Sequence, residues 1–223
     1  MSKIDVQNTD ATLKRYNRIA PLYDALEAPV ELVYSAWRKR AWRRIQGPKT
    51  LEVGVGTGKN FPYHTSDLDV TGIDLSDRMI TRARRKAASL NIDPSLHQMD
   101  AQRMDFTDNS FDCAVATFVF CSVPDPILGL QEMARVVKPG GRIVLLEHVR
   151  SRIPLLGRIM DWLDPLVVRL MGPHINRNTV DNVRKAGLDI EQVQELDPFG
   201  VFKLIVANVD GTGKTKKQEN TRG

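Results

Sequence analysis

The chain has little of the chemistry that builds disulfide frameworks or metal centres. Its 223 residues include two cysteines and four histidines, and no Cys/His pair has the spacing of a zinc site. Cys113 and Cys121 both fall in the apolar run 111–123. We therefore expect buried, reduced thiols rather than a disulfide or a metal pair, and no metal cofactor.

Long apolar runs are also lacking. No stretch approaches the roughly 20 apolar residues that span a bilayer, and the N-terminus has no apolar segment of the kind that signal peptides carry. These absences predict a cytoplasmic protein. The apolar share of 42% is nevertheless enough for a core, and the length suits one domain with a small cap.

Acidic residues are outnumbered at both ends of the chain. The net charge is +5, and the first 50 residues carry ten Lys and Arg against five Asp and Glu. Residues 35–50 carry six basic residues and no acid. A basic face of this kind supports solubility or binds an anionic partner. We expect the polar tail 210–223 to be a disordered basic segment.

The glycine-rich stretch 50–58 is the feature around which the rest of the chain is organised. A short apolar run leads into three glycines at every second position, Gly54, Gly56 and Gly58. This pattern predicts a buried strand and a tight turn where bare backbone can approach a ligand. A second short strand ends in Asp74. A glycine turn after one strand and a carboxylate after the next predict a nucleoside site in an α/β sheet.

The N-terminal part is predicted to be partly helical. Apolar residues recur at helical spacing within 30–45, with Arg and Lys on the other faces. This helix either packs on the domain with a solvated basic side or lies on an anionic membrane surface. The interfacial side chains in the second case are Tyr34, Trp37 and Trp42. We expect residues 1–15 to fray, and Pro21 and Pro29 to break the segment between into short pieces.

Strands and helices alternate from residue 50 to residue 148, which predicts a doubly wound α/β domain. Ser76 is a predicted helix N-cap, and the apolar run 113–120 is typical of a strand covered on both faces. The predicted elements are strands near 50–53, 70–74, 96–101, 113–120 and 142–148, helices after Gly58 and at 77–90 and 128–137, and a turn at 138–141.

The C-terminal third breaks this alternation. Residues 150–174 are too apolar for a solvated loop, so we expect a helical cap over the binding face. A helix at 179–186 follows, and strands at 188–194 and 202–209 are predicted to form a closing hairpin. The chain then divides into an N-terminal helical lid or amphipathic segment at 1–46, an α/β domain at 47–209 with the cap 150–174 inserted, and the tail.

The order of these motifs resembles the class I S-adenosylmethionine-dependent methyltransferases, from about Tyr16 to Val209. The glycine turn alone is weak evidence, but its combination with the later motifs is specific. Those motifs are Asp74, Met99-Asp100-Ala101, Phe111-Asp112 and Lys138-Pro139-Gly140-Gly141. The resemblance implies a Rossmann-like sheet of seven strands, mostly parallel with a terminal antiparallel strand. It also implies S-adenosylmethionine as methyl donor and S-adenosylhomocysteine as product.

Three stretches are similar to particular groups within the class. Residues 19–24 resemble the opening of ubiquinone/menaquinone-type C-methyltransferases, and residues 117–124 and 146–149 resemble phospholipid N-methyltransferases and membrane-associated thiol methyltransferase-like proteins. The apolar cap and the basic N-terminal helix together favour a small lipophilic acceptor taken from, or near, a membrane surface. A membrane lipid, either a phospholipid amine or an isoprenoid quinone precursor, ranks before a small thiol. With the basic N-terminal helix, this favours a peripheral protein at the inner face of the membrane.

Family roles transfer to individual positions of this sequence. The methionine part of the cofactor is expected to contact Glu52, Gly54, Gly56 and Gly58. Asp74 is expected to accept from the ribose hydroxyls, Leu75 to flank the adenine, Asp100 to accept from the adenine amino group, and Met99 and Ala101 to pack on the ring. The sulfonium is expected to be bordered by Thr117 and Phe118 and covered by Tyr16 and Tyr23. Asp74 and Asp100 could instead cap a helix or form a turn.

The resemblance indicates the cofactor-binding residues more clearly than the residue that accepts a proton during catalysis. His148, at the end of the fifth strand, is the first candidate for a proton acceptor because its unperturbed pKa lies near neutrality. Glu147 and His174 are further candidates. The fourth strand does not end in the Asn/Asp-Pro-Pro-Tyr/Phe motif, which argues against nucleic-acid amines as acceptors.

Two other functional classes remain open. A NAD-dependent oxidoreductase also uses a glycine turn and an acid after the second strand, although Lys59 stands where close helix packing favours Gly or Ala. A non-catalytic S-adenosylmethionine-binding protein is the other alternative.

Overall fold

The computed structural model describes residues 4–170 and 172–210. A seven-stranded sheet with the order β3-β2-β1-β4-β5-β7-β6 forms its centre. Neighbouring strands are parallel except for β7, which pairs antiparallel with both β5 and β6. The strands are β1 Lys49–Val53, β2 Asp69–Asp74, β3 Ser95–Gln98, β4 Phe111–Thr117, β5 Val137–His148, β6 Asp189–Glu195 and β7 Phe202–Asn208. The predicted fold class is confirmed.

Helices cover both faces of this sheet. They are α1 Val6–Ile19, α2 Tyr23–Trp42, α3 Asp77–Ser89, α4 Pro126–Val136, α5 Pro154–Leu170 and α6 Thr179–Lys185, with a short 3-10 helix at Phe61–Tyr63. Within β4, Ala114 packs in the core cluster on one face and Val115 in the cluster on the other. Both are fully buried, as the continuous apolar run predicted. Cys113 and Cys121 are free and buried.

The N-terminal region differs from its prediction. α1 begins at Val6, where the Asp5 side chain accepts a hydrogen bond from the backbone N–H of Asn8 (3.1 Å), so residues expected to fray are helical. α2 runs through Pro29, which was expected to break it. Pro29 and the residue four positions before it, Ala25, are exposed, so water can satisfy the carbonyl that loses its N–H partner.

Two turns also differ. The helix expected after Gly58 is replaced by a turn and the 3-10 helix, since Gly58 has φ +83°, outside the right-handed helical region. Residues 138–141, predicted to be a turn, belong to β5, and a register irregularity lies between Phe111 and Cys113 opposite them. The predicted N-cap Ser76 is confirmed, since its hydroxyl accepts from Met79 N–H at 3.1 Å.

α5 forms most of the apolar insertion. Its exposed apolar side chains stand at helical spacing in one stripe: Leu155, Ile159, Trp162 and Leu166. Met160 faces inward and is buried. In the described residues, no helix is long and apolar enough to cross a membrane. A basic tail was expected at residues 210–223. Residues 211–223 of this tail lie outside the described part of the chain.

Candidate active site

A cavity lies where the parallel strands end, and we call it the strand-end cavity. Eleven of the residues predicted for the cofactor site line this cavity together. They are Tyr16, Tyr23, Gly54, Gly56, Asp74, Leu75, Met99, Asp100, Ala101, Thr117 and Phe118. Thr12, Val119 and Ser122 line it as well and were not predicted.

Asp74 joins the glycine turn to the end of β2. Its two carboxylate oxygens accept one backbone hydrogen bond each, from Gly56 N–H and Ser76 N–H, both at 2.9 Å. A carboxylate oxygen can accept more than one hydrogen bond, so each retains capacity at the cavity wall. Burial raises the pKa of Asp74 to about 6, against the lowering effect of those two bonds.

Gly56 leaves space beside this carboxylate. Its φ is +54°, and a Cβ built on it would meet no atom within 4 Å. Gly54 has a different reason for being glycine, because a Cβ there would stand 2.4 Å from the Val119 side chain. Gly54 therefore permits close packing against Val119, and Gly56 leaves open backbone at the cavity.

Asp100 forms the turn that the sequence offered as one of its two roles, and it also lies at the cavity that the other role requires. It lines the strand-end cavity, and its Oδ1 also accepts from Gln102 N–H (2.9 Å), as in an Asx turn. The Gln102 amide lies within 3.1 Å of both carboxylate oxygens and also donates to Thr9 of α1. The turn after β3 is thereby tied to the lid.

Two residues that were predicted to contact the cofactor do not line the strand-end cavity. Glu52 is buried, with Oε1 accepting from Asn60 Nδ2 (2.7 Å) and Oε2 3.0 Å from His64 Nε2. Gly58, with φ +83°, packs on the Phe61 ring. Both shape the turn from beneath and do not line the cavity.

α1 lies across the strand-end cavity. The Tyr16 hydroxyl is 2.5 Å from Ser122 Oγ, and Asn17 Oδ1 accepts from Ser76 Oγ at 2.5 Å. Arg78 donates to the Asn17 carbonyl oxygen (3.0 Å). These contacts hold the helix over the ends of the strands, and burial raises the pKa of Tyr16 above its ordinary range.

A second cavity of about 350 Å³ adjoins the first, and we call it the lid cavity. The two cavities share Tyr16, Tyr23 and Phe118. Other parts of its lining are Ile19, Glu27, Val30, Tyr34, Cys121, His148, Pro173, His174, Ile175 and Phe202. Phe118 stands between the cavities with φ +60°, an uncommon backbone conformation for a bulky side chain.

Among the described residues of the predicted cap 150–174, only Pro173 and His174 line a cavity. No residue of α5 itself lines either cavity, whereas Pro173, His174 and Ile175, which follow it, line the lid cavity. The side chain of Asp164 in α5 reaches His174 Nδ1 at 2.8 Å and accepts from Ile175 N–H at 2.7 Å. α5 therefore supports the wall instead of forming it.

The predicted catalytic pair separates in the structure. His148 lines the lid cavity, and burial lowers its pKa against the opposing effect of Asp197. Glu147 lines neither cavity. Its Oε1 accepts from the N–H groups of Val119 and Phe120 (3.0 Å each), and burial raises its pKa to about 7. It fixes the turn that carries Phe118.

Arg38 is a buried site residue that the sequence reasoning missed, since it was assigned to a solvated basic face. It is 4% exposed and donates to Thr117 Oγ1 (2.7 Å), and its guanidinium carbon lies 5.1 Å from the Phe118 ring centre. Glu27 and Glu31 of α2 lie within 3.8 Å of it, and Lys59 approaches the same two carboxylates within 3.1 Å. The spacing of these acids on one face of α2 was the available signal.

Comparisons with known proteins agree with this geometry. Residues 51–145 match the family described as methyltransferase domain. A phosphatidylethanolamine N-methyltransferase of Cereibacter sphaeroides is 40% identical over 151 residues, covering 66% of this chain and 72% of the relative. A demethylmenaquinone methyltransferase of Staphylococcus aureus is 32% identical over 174 residues, covering 74% and 71%.

Among solved structures, a SAM-dependent methyltransferase of Thermotoga maritima superposes with a TM-score of 0.70. It is 22% identical and covers 89% of this chain and 100% of its own. That likeness concerns the fold alone, while the two relatives above carry the sequence relationship. The chain belongs to the class I S-adenosylmethionine-dependent methyltransferases.

Proposed function

We propose that this methyltransferase acts on a lipophilic acceptor drawn from a membrane, either a phospholipid amine or an isoprenoid quinone precursor. The observation that carries the proposal is the lid cavity, which adjoins the strand-end cavity at Tyr16, Tyr23 and Phe118 and has a mostly apolar and aromatic lining. The names of the relatives that act on phosphatidylethanolamine and demethylmenaquinone support the same acceptor class.

In this proposal the strand-end cavity holds S-adenosylmethionine. The remaining acceptor capacity of Asp74 suits the two ribose hydroxyls, and the open backbone at Gly56 suits close approach of the ligand. Leu75, Met99 and Ala101 supply apolar surface for the adenine, with Asp100 at its edge. When bound, the cofactor supplies a methyl group on a sulfonium, which is already an activated leaving group.

The protein's own contribution is then alignment and exclusion of water. Tyr16 and Tyr23 close the junction of the cavities from the lid side, and Phe118 closes it from the end of β4. Glu147 acts indirectly, since its carboxylate holds the backbone at Val119 and Phe120 and thus the strained conformation of Phe118. Glu52 likewise supports the glycine turn.

The lipid source is proposed to be an anionic bilayer surface. Exposed apolar side chains lie on α2, where Leu32 is 86% exposed, and along the α5 stripe, where Trp162 is 80% exposed. Basic side chains of α2 are exposed as well, among them Lys39, Arg40 and Arg43. Apolar side chains that insert and cations that meet anionic headgroups are the combination that interfacial helices use.

Ligand titration and product analysis test the enzymatic part of the proposal. Isothermal titration is expected to give binding of S-adenosylmethionine and none of NAD. Release of S-adenosylhomocysteine is then measured with phosphatidylethanolamine vesicles, a quinol and small thiols as acceptors. Turnover with a lipid or quinol supports the proposal, whereas turnover confined to the thiols, or binding of NAD alone, overturns it.

Vesicle flotation tests the membrane part. Deleting residues 1–46 would remove Ala41 and Trp42 from the core, so substitution of exposed residues is the cleaner test. Leu32→Glu and Trp162→Glu are expected to lower binding to phosphatidylglycerol vesicles. Leu90→Glu, an exposed position on the far side of α3, is the matched control. Equal binding of all variants overturns the proposed surface.

A further inference from the structure

Two side chains at the wall of the lid cavity, His174 and Asp164, are arranged as a general base and the carboxylate that orients it. His174 lines the cavity, and its side chain is 37% exposed, whereas that of its partner Asp164 is 11% exposed. Asp164 Oδ2 lies 2.8 Å from His174 Nδ1, and Oδ1 accepts the N–H of the next residue, Ile175, at 2.7 Å. The carboxylate is thus anchored on both oxygens.

This arrangement fixes the imidazole. A carboxylate that accepts from Nδ1–H holds the neutral ring in the tautomer whose Nε2 is an unprotonated acceptor. It also stabilises the imidazolium that forms when Nε2 takes up a proton. The backbone supports the same position, because His174 N–H donates to the Cys121 carbonyl oxygen at 2.9 Å. His174 is therefore held at its ring by Asp164 and at its backbone by Cys121.

We propose that His174, oriented by Asp164, takes the proton from the acceptor atom during methyl transfer. This rests on the proposed function, since it needs an acceptor in the lid cavity. An electron pair of the acceptor, the nitrogen lone pair of an amine or a ring π pair of a quinol, forms the bond to the methyl carbon as the carbon–sulfur bond breaks and its electron pair remains on sulfur. The proton of the acceptor passes to Nε2 of His174. His174 is then a catalytic residue, and Asp164 a positioning residue.

His148 lines the same cavity but lacks these features. Its Nδ1 is buried and has no hydrogen-bond partner in the part of the chain that the structure describes. Its nearest aromatic neighbour is Phe202, with ring centres 5.3 Å apart, and burial makes it harder to protonate. An imidazole without an oriented tautomer is the poorer proton acceptor of the two.

Other titratable groups lie in the lining of the same cavity or in the segment that follows His174. They are Tyr16, Tyr23, Glu27, Tyr34, Cys121 and His148 in the lining, and Arg177, which acts on Asp164 from the following segment. Burial raises the pKa of the Cys121 thiol to about 12, so Cys121 remains a neutral thiol near neutrality.

Three variants of the full chain test the proposal. His174→Ala and Asp164→Asn are expected to lower kcat by about 10²-fold or more with phosphatidylethanolamine vesicles or a quinol, whichever the wild type methylates. Their affinity for S-adenosylmethionine, measured by titration, is expected to be unchanged. His97→Ala, on β3 and away from both cavities, is the matched control and is expected to retain wild-type turnover.

Two readouts separate proton transfer from a structural role. Added imidazole is expected to restore turnover to His174→Ala but not to Asp164→Asn. Nitrogen NMR of ¹⁵N-histidine-labelled protein is expected to show Nδ1–H at His174 in the wild type and Nε2–H in Asp164→Asn. The reason is that the asparagine amide presents its N–H₂ to the ring if its oxygen keeps the Ile175 contact.

The possible failures are distinguishable. Wild-type turnover together with unchanged kcat in His174→Ala overturns the base and leaves the methyltransferase assignment intact. Loss of kcat in His148→Ala but not in His174→Ala moves the role to His148 and overturns the proposal. Absence of wild-type turnover on every acceptor overturns this proposal and the proposed function together.

Discussion

The two cavities take their walls from different kinds of structure. The strand-end cavity is built mainly from short turns that follow β1, β2, β3 and β4, and the parallel sheet alone brings those turns together. The lid cavity combines α1, α2, the end of β5 and the segment after α5, which lie far apart in sequence. The walls of the strand-end cavity follow from the sheet, whereas the walls of the lid cavity require long-range packing of helices.

This difference separates the two halves of the reaction. Donor-side residues are held by backbone hydrogen bonds, such as those from Gly56 and Ser76 to Asp74. Lid-side residues are held by side-chain contacts: an ion pair of Lys59 with Glu27 joins α2 to the glycine turn, and a hydrogen bond from Arg38 to Thr117 joins α2 to β4. Substitutions should therefore affect donor binding, acceptor turnover or stability separately, except where a side chain connects the donor side to the lid side.

Arg38 is such a bridge, and its loss should have the largest effect. Arg38→Met leaves Glu27 and Glu31 with less compensation and removes one of the two hydrogen bonds that Thr117 Oγ1 accepts. We expect the free energy of unfolding to fall by about 3 kcal/mol, because the hydrogen bond from the charged guanidinium is lost and Lys59 alone then compensates the two partly buried carboxylates. Thermal denaturation measures this. Arg40→Met, exposed on the same helix, is the control, and an equal shift in both variants would contradict the buried role.

Asp74 tests the donor side alone. Asp74→Asn is expected to weaken S-adenosylmethionine binding by about 10²-fold at pH 7.5, since hydrogen bonds to a charged group contribute about 1.5 to 3 kcal/mol. Vesicle binding should not change. The wild-type affinity should also fall as the pH drops below about 6, where Asp74 becomes protonated. A pH-independent wild-type affinity would argue against a role for the carboxylate.

Glu147→Gln and the wild type should differ in stability by an amount that depends on pH. The pKa of Glu147 is raised from 4.5 to about 7 by burial, so its contribution is present below pH 4.5 and is lost as the pH rises through 7. Glu147→Gln keeps an oxygen for Val119 and Phe120 but does not ionise. We expect its Tm to exceed that of the wild type at pH 8 by at least about 2 °C, and by less at pH 5.

A control distinguishes this effect from a general charge effect. Asp105→Asn, at an exposed carboxylate, is expected to show no such pH-dependent gain. If both variants gain equally at pH 8, the effect is due to net charge and not to burial of Glu147.

The smallest expected effect concerns the lid. Ser122→Ala removes the hydrogen-bond partner of the Tyr16 hydroxyl, which lies at the junction of the two cavities. One neutral hydrogen bond contributes about 1 kcal/mol, so we expect S-adenosylmethionine affinity to fall by about fivefold. Titration at constant pH measures it. A loss as large as that of Asp74→Asn would show that the lid, and not the strand ends, dominates donor binding.

Much of the donor side could be predicted from local sequence. The glycine turn, Asp74 and the Ser76 cap were found because strand ends and capping residues have short-range patterns, and the structure places the acid and two of the three glycines at the cavity. Gly58 and Glu52 were grouped with them, yet both lie below the cavity wall. Spacing along a turn does not determine which residues face inward.

The lid side was less predictable. Arg38 was assigned to a solvated face because helical periodicity identifies an apolar stripe but not a buried ion pair. The continuation of α2 through Pro29 depends on exposure of the freed carbonyl, which local propensity does not reveal. The pairing of Asp164 with His174 depends on how the chain turns after α5.

The sequence by itself determined the strand and helix alternation, the sheet class and the donor-side motif, because period-two and period-3.6 patterns and glycine turns act over a few residues. Only the tertiary structure decided which side chains line the lid cavity and how the two cavities meet. The physical reason is that Arg38, Phe118 and His174 acquire their positions from partners up to about 80 residues away. Such contacts are set by packing of whole helices on the sheet and not by local conformational preference.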